Sequence, residues 1–105
     1  MKMTWVILQK QPTGRVKLLA VAPSGLTREY VALAVGDYVG IILHPLSVMT
    51  PKNCKHYGID FVQLRSSQRE PLHSSIRDPL WRLWQRNAVD RLRKDILSGK
   101  GAEII

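Results

Sequence analysis

The chain contains a single cysteine, Cys54. No intrachain disulfide is possible, and a reducing compartment, the cytoplasm, is the expected setting. Long apolar runs are also missing. The longest, Tyr30 to Leu43, is broken by Gly36-Asp37 and falls short of the roughly 20 residues that a membrane-spanning helix needs. The apolar stretch near the start soon meets Gln9, Lys10 and Gln11, too early for a secretory signal. Acidic side chains are scarce, with 8 Asp+Glu against 16 Lys+Arg and a net charge of +8. That imbalance draws polyanions such as nucleic acid, or acidic surfaces, and no membrane partner is expected.

Motifs for catalysis and metal binding are lacking as well. Gly36 and Gly40 stand outside any phosphate-binding loop. No nucleophile elbow surrounds a Ser or Cys. His44, Cys54, His56 and His73 do not have zinc-finger spacing, and Cys54-x-His56 is not a usual ligand pair. Asp37 and Asp60 are the acids near expected strands, and structural roles in a turn and on a strand account for them. No catalytic residue, metal or cofactor is expected. A small basic nuclease using Asp37 and Asp60 is the third function reading.

What is present is a domain-sized chain of 105 residues, 45% hydrophobic. Thr4 to Gln9 carries strand-favouring Trp, Val and Ile. Pro12-Thr13-Gly14 signals a turn. Arg15 to Ala22 alternates, with Val16, Leu18 and Ala20 on one face and Lys17, Leu19 and Val21 on the other, so a hairpin is expected. Pro23-Ser24-Gly25 breaks the chain. Thr27 is placed to cap a helix over Arg28 to Val35, which Gly36-Asp37 ends. Tyr38 to Leu43 reads as a buried strand closed by His44-Pro45. Pro45 to Lys55 reads as a loop, and Tyr57 to Leu64 as a fourth strand.

The predicted fold class is therefore α+β, a small four-stranded β-rich domain (ββαββ) followed by a C-terminal amphipathic helix. Residues 1–64 form the core, 65–77 a polar linker rich in serine and arginine, and 78–98 the helix. Asp78-Pro79 suits the helix start and Gly99 its end. Trp81, Trp84, Ala88, Leu92 and Ile96 recur at helical spacing. That stripe is expected to be an interface, packed on the core or on a second subunit.

On the other side of the same helix, Arg82, Arg86 and Arg93 fall within a narrow arc. Arg82 and Arg86 are like charges one turn apart, an unfavourable pair that a phosphate chain would relieve. The competing reading is intrahelical pairing of Asp78 with Arg82, and of Asp90 with Arg86 and Lys94.

A further pattern runs through the first half. Gly14-Arg15-Val16-Lys17-Leu18 is followed by Leu26-Thr27-Arg28-Glu29, by Ala32-Leu33 and by Gly36-Asp37-Tyr38-Val39. This order resembles the AbrB family of swapped-hairpin DNA-binding proteins, over roughly residues 4–65. The resemblance implies an intertwined homodimer in which Arg15, and with it Arg28, faces DNA. Lys17 lies on the same strand.

The function expected from charge and pattern is nucleic-acid binding, DNA or RNA, in a small transcriptional regulator. The contacts are assigned to Arg15, Lys17, Arg28, Arg82, Arg86 and Arg93. The runner-up is a protein-interaction module, a phage- or plasmid-type inhibitor or adaptor, with the Trp81/Trp84 face as its hot spot. An exposed tryptophan face with paired arginines favours the adaptor, and the reverse favours nucleic acid.

Overall fold

The computed structural model describes residues 3–66, 80–99 and 101. Strand β1 (Trp5–Lys10) pairs antiparallel with β2 (Val16–Val21) on one side and with β3 (Ile41–Pro45) on the other, giving the sheet order β2-β1-β3. Helix α1 (Arg28–Val35) joins β2 to β3. A short 3-10 turn (Leu46–Val48), α2 (Pro51–Tyr57), α3 (Phe61–Ser66) and α4 (Trp81–Leu97) follow. The class is α+β with a C-terminal amphipathic helix.

Alternation in β1 sends apolar side chains to both faces of the sheet. Ile7 joins Ala34, Val35, Val89, Leu92 and Ile96 in a core beneath α1 and α4. Val6 and Leu8 join Met49, Cys54, Ile59 and Leu64 in a second core beneath α2 and α3. The sheet is therefore the middle of three layers.

The hairpin forms as expected, but its alternation is interrupted. Ile7 pairs with Ala20 and Leu8 with Leu18, so Leu19 is an extra residue. This bulge puts Leu19 and Ala20 together in the α1/α4 core and returns Val21 to the face of Val16 and Leu18. Strict alternation had placed Leu19 with Val21.

The structure corrects the four-strand expectation. Residues 57–64 form no strand, and 45–55 is no irregular loop. Thr50 Oγ1 accepts from the Asn53 N–H at 3.2 Å, with Pro51 in the first turn, and α2 starts there. Gly58 ends α2 in the left-handed region (φ 72°). Asp60 Oδ1 then accepts from the Gln63 N–H at 3.0 Å, which starts α3. Asp60 is therefore a helix cap and not a strand residue. Ile59 and Leu64 are buried and Val62 is 72% exposed. Arg65 and Ser66, assigned to the linker, belong to α3. Residues 67–77, with Asp78-Pro79, lie outside the described residues.

Other boundaries shift less. Thr27 caps α1, its Oγ1 accepting from the Tyr30 N–H at 3.4 Å, and Gly36 follows the helix. The third strand starts at Ile41, later than Tyr38, and runs through Pro45 on the sheet edge. Ser98 is the C-cap of α4, with Gly99 (φ 72°) after it. Gly101 is buried against the backbone of Leu18 and Leu19, where a Cβ would collide with their carbonyl oxygens.

Asp60→Ala is expected to lower unfolding free energy by about 1 kcal/mol through loss of the α3 cap. Val62→Ala should change it by less than half as much. Urea denaturation of both variants checks this, and an unchanged midpoint for Asp60→Ala would remove the cap from the account.

Candidate nucleic-acid interface

Helix α4 carries the candidate surface, and one side chain fixes its position. Gln85 is 1% exposed, in the middle of the apolar stripe. Its Oε1 accepts from the Thr27 N–H at 3.3 Å, and its Nε2 donates to the Gly25 carbonyl at 3.2 Å. The amide thus satisfies both a donor and an acceptor of the buried turn between β2 and α1, as a polar group in a core must. Ala88, Val89, Leu92 and Ile96 continue the buried face along the helix. Sequence pattern missed Gln85, although a glutamine set within an apolar stripe was its visible sign.

Trp81 and Trp84 are half-buried at the start of the helix. The Trp81 ring meets Tyr30 of α1 edge to face, with centroids 6.1 Å apart. Ala88, Leu92 and Ile96 of the stripe pack into the core with α1 and the sheet, and Trp81 meets α1 through Tyr30.

The arginines divide into two kinds. Arg93 donates to the Leu33 carbonyl near the end of α1 at 2.9 Å, and its guanidinium lies 3.8 Å from Asp90. It binds α4 to α1. Arg82 and Arg86 are exposed and have no carboxylate partner among the described residues. Asp90 was expected to pair with Arg86 and Lys94; it pairs instead with Arg93, one residue short of a full i,i+4 step. The Asp78–Arg82 pair lies outside the described residues. Arg91 and Lys94 are also exposed and extend the positive surface of α4.

The three arginines do not stand opposite the buried face. At about 100° per residue, Arg82, Arg86 and Arg93 follow Gln85 by about 60° to 100°. Arg93 reaches α1, so the row borders the seam between the two helices.

The remaining candidates lie apart. Arg15 closes the β1–β2 hairpin, its carbonyl accepting from the Gln11 N–H at 2.8 Å, and exposed Lys17 pairs across from Gln9. Arg28 follows the opposite end of β2. It precedes Tyr30 by two residues, about 200° round the helix, and does not share its α4-facing side. The six basic candidates therefore do not form one patch, and α4 holds the largest group.

Near the C-terminal ends of α1 and α4 lies an open apolar groove of about 400 Å³, walled by Val35, Tyr38, Ile96 and Leu97 with Asp37 and Arg93 at its polar margin. Asp37 follows α1 and Asp60 precedes α3, so the two acids belong to opposite layers. His44 Nε2 lies 3.4 Å from the Tyr57 hydroxyl, and the Cys54 thiol donates to the Met49 carbonyl at 3.7 Å. His73 lies outside the described residues. Among the described residues, no three His, Cys, Asp or Glu side chains gather as a metal site. Burial pushes the Cys54 thiol up, with Arg65 opposing and Asp60 adding to the shift. The thiol is thus held neutral, the unreactive form.

No protein-family model, curated protein or solved structure matches the chain.

Gln85→Ala leaves the Thr27 N–H and the Gly25 carbonyl without their partner. A loss of about 1–3 kcal/mol is expected, measured by thermal or urea unfolding. Gln85→Glu should not restore stability, since it has no N–H for Gly25; full recovery by glutamate would mean the clamp does not act as described. Cys54 should react with a thiol reagent only as fast as the protein opens, and rapid labelling of the native protein would contradict its burial.

Proposed function

We infer that the protein binds nucleic acid, as a small DNA-binding transcriptional regulator that contacts phosphates through arginine and lysine. The observation that carries this reading is the exposed Arg82–Arg86 pair on a helix fixed by Gln85, with no ion pair to either arginine among the described residues. Two guanidiniums one turn apart repel each other, and neighbouring phosphates turn that repulsion into attraction while releasing counterions. A rigid helix also holds them without the ordering cost that a loop incurs. Arg91 and Lys94 add charge on the same element, and Arg15 and Lys17 supply a second contact at the hairpin end.

The tryptophans favour this reading over an adaptor. Trp81 is engaged with Tyr30 and half-buried, so it is a poorer hot spot than a free ring. The nuclease reading loses its acid pair, because Asp37 and Asp60 lie in different layers. The resemblance to AbrB proteins adds a homodimer and a role for Arg15 and Arg28 in DNA contact.

Titration against duplex DNA, single-stranded DNA and structured RNA across a salt series tests the reading. If both arginines contact phosphates in a duplex, Arg82→Ala with Arg86→Ala should flatten the slope of log K against log salt by about 1.8. Unchanged affinity and slope would refute their role. Arg93→Ala is a contrast: it should mainly lower stability, because that side chain joins α4 to α1.

A further inference from the structure

The two edges of the sheet are unlike. Gly101 lies against the Leu18 and Leu19 backbone of β2. On the opposite edge, β3 is paired only with β1 among the described residues. The hydrogen-bond parity shows which groups face outward. Lys10 N–H donates to the Gly40 carbonyl at 2.9 Å, and Leu46 N–H donates to the Thr4 carbonyl at 2.8 Å. Between these, the register pairs Leu8 with Ile42 and Val6 with His44. In an antiparallel ladder, bonded and non-bonded pairs alternate. Ile42 and His44 therefore bond to β1, whereas Ile41 and Leu43 turn their N–H and C=O groups away from it. Pro45 ends the edge with a carbonyl alone.

Among the described residues, this edge lacks the usual protection. Edge strands are commonly guarded by lysine, inward charge or a covering element. Residues 38–51 contain no Lys, Arg, Asp or Glu, the longest such stretch in a chain of net charge +8. All five residues of β3 remain only half-buried although both faces of the sheet carry helices. Val39, just before the strand, is 82% exposed, and Tyr38 and Val48 flank it as exposed apolar side chains.

We propose that β3 pairs antiparallel with β3 of a second copy of this chain, joining two three-stranded sheets into one across a two-fold axis. Charge selects the occupant. Two copies repel through their basic surfaces, and this edge is the stretch where they can approach without opposing cations. Geometry is self-complementary. With Ile42 on the axis, Ile41 pairs with the partner's Leu43 and Leu43 with the partner's Ile41. Every outward N–H and C=O of those two residues then finds a partner. A closed two-fold contact also leaves no free β3 edge for further growth.

The test is oligomeric state and amide exchange on the full chain, free of nucleic acid. Analytical ultracentrifugation should show a monomer–dimer equilibrium. Exchange at Ile41 and Leu43 should slow at least tenfold as concentration favours the dimer. The Ile42 and His44 amides, already bonded to β1, should not share that concentration dependence. Leu43→Pro removes only an outward N–H from the backbone and should give a monomer, whereas Leu43→Ala loses side-chain packing but keeps the N–H and should remain dimeric. A protein monomeric at all concentrations overturns the proposal. So does a dimer in which Ile41 and Leu43 exchange as fast as in the monomer, which would point to another interface such as a helix face. Should Leu43→Pro not fold, the exchange pattern of the unaltered chain decides alone.

Discussion

Strand β1 buries Val6, Ile7 and Leu8 completely, and successive residues of a strand point to opposite faces. A sheet with apolar side chains on both faces needs two covers. Helices α1 and α4 provide one. Had residues 57–64 paired as a fourth strand, the sheet would have grown wider while Val6, Leu8 and Leu18 stayed wet. Helices α2 and α3 cover that face instead, and Met49, Cys54, Ile59 and Leu64 fill the space. Each fully buried aliphatic side chain contributes roughly 1.5–3 kcal/mol, so covering a whole face outweighs the weak strand preference of Ile59, Phe61 and Val62.

This explains which parts were legible. Helix α1 could be bounded because Thr27 and Gly36 act locally, through a side-chain cap and a helix-ending glycine. The hairpin could be read from its turn residues. Residues 57–64 could not be read from periodicity, since Ile59, Phe61 and Leu64 suit a short strand as well as a turn of helix. Thr50-Pro51, Gly58 and Asp60 were the better signals, each with a cap geometry the structure displays. Leu19 was illegible for a different reason. A bulge is defined by pairing across strands, and one chain segment does not reveal where its partner slips.

The candidate surface was legible in composition and less so in arrangement. Helical spacing grouped Arg82, Arg86 and Arg93 correctly on one side. It could not separate them, because what distinguishes Arg93 is the Leu33 carbonyl 60 residues earlier in the chain. The same applies to Gln85, whose partners Gly25 and Thr27 are equally remote in sequence. Both contacts depend on α4 lying beside α1. Spacing rules describe a helix on its own, and here the neighbouring helix assigns each polar side chain to structure or to solvent.

That division bears on how charge and stability coexist. Cations packed on one helix destabilise it by repulsion, modestly at physiological salt because exposed charges more than about 8 Å apart are largely screened. Helix α4 carries Arg82, Arg86, Arg91, Arg93 and Lys94. It tolerates them because its adhesion comes from its buried face, from Leu92, Ile96 and the Gln85 amide, which do not depend on ionic strength in the same way. Arg93 offsets part of the repulsion by bonding to a carbonyl near the end of α1, where the helix dipole favours a cation. Arg82 and Arg86, without a carboxylate partner among the described residues, are thus supported by contacts that do not use them. Their replacement alters the surface potential and leaves the core intact, whereas loss of Gln85 or Arg93 disturbs the placement of the helix that presents them.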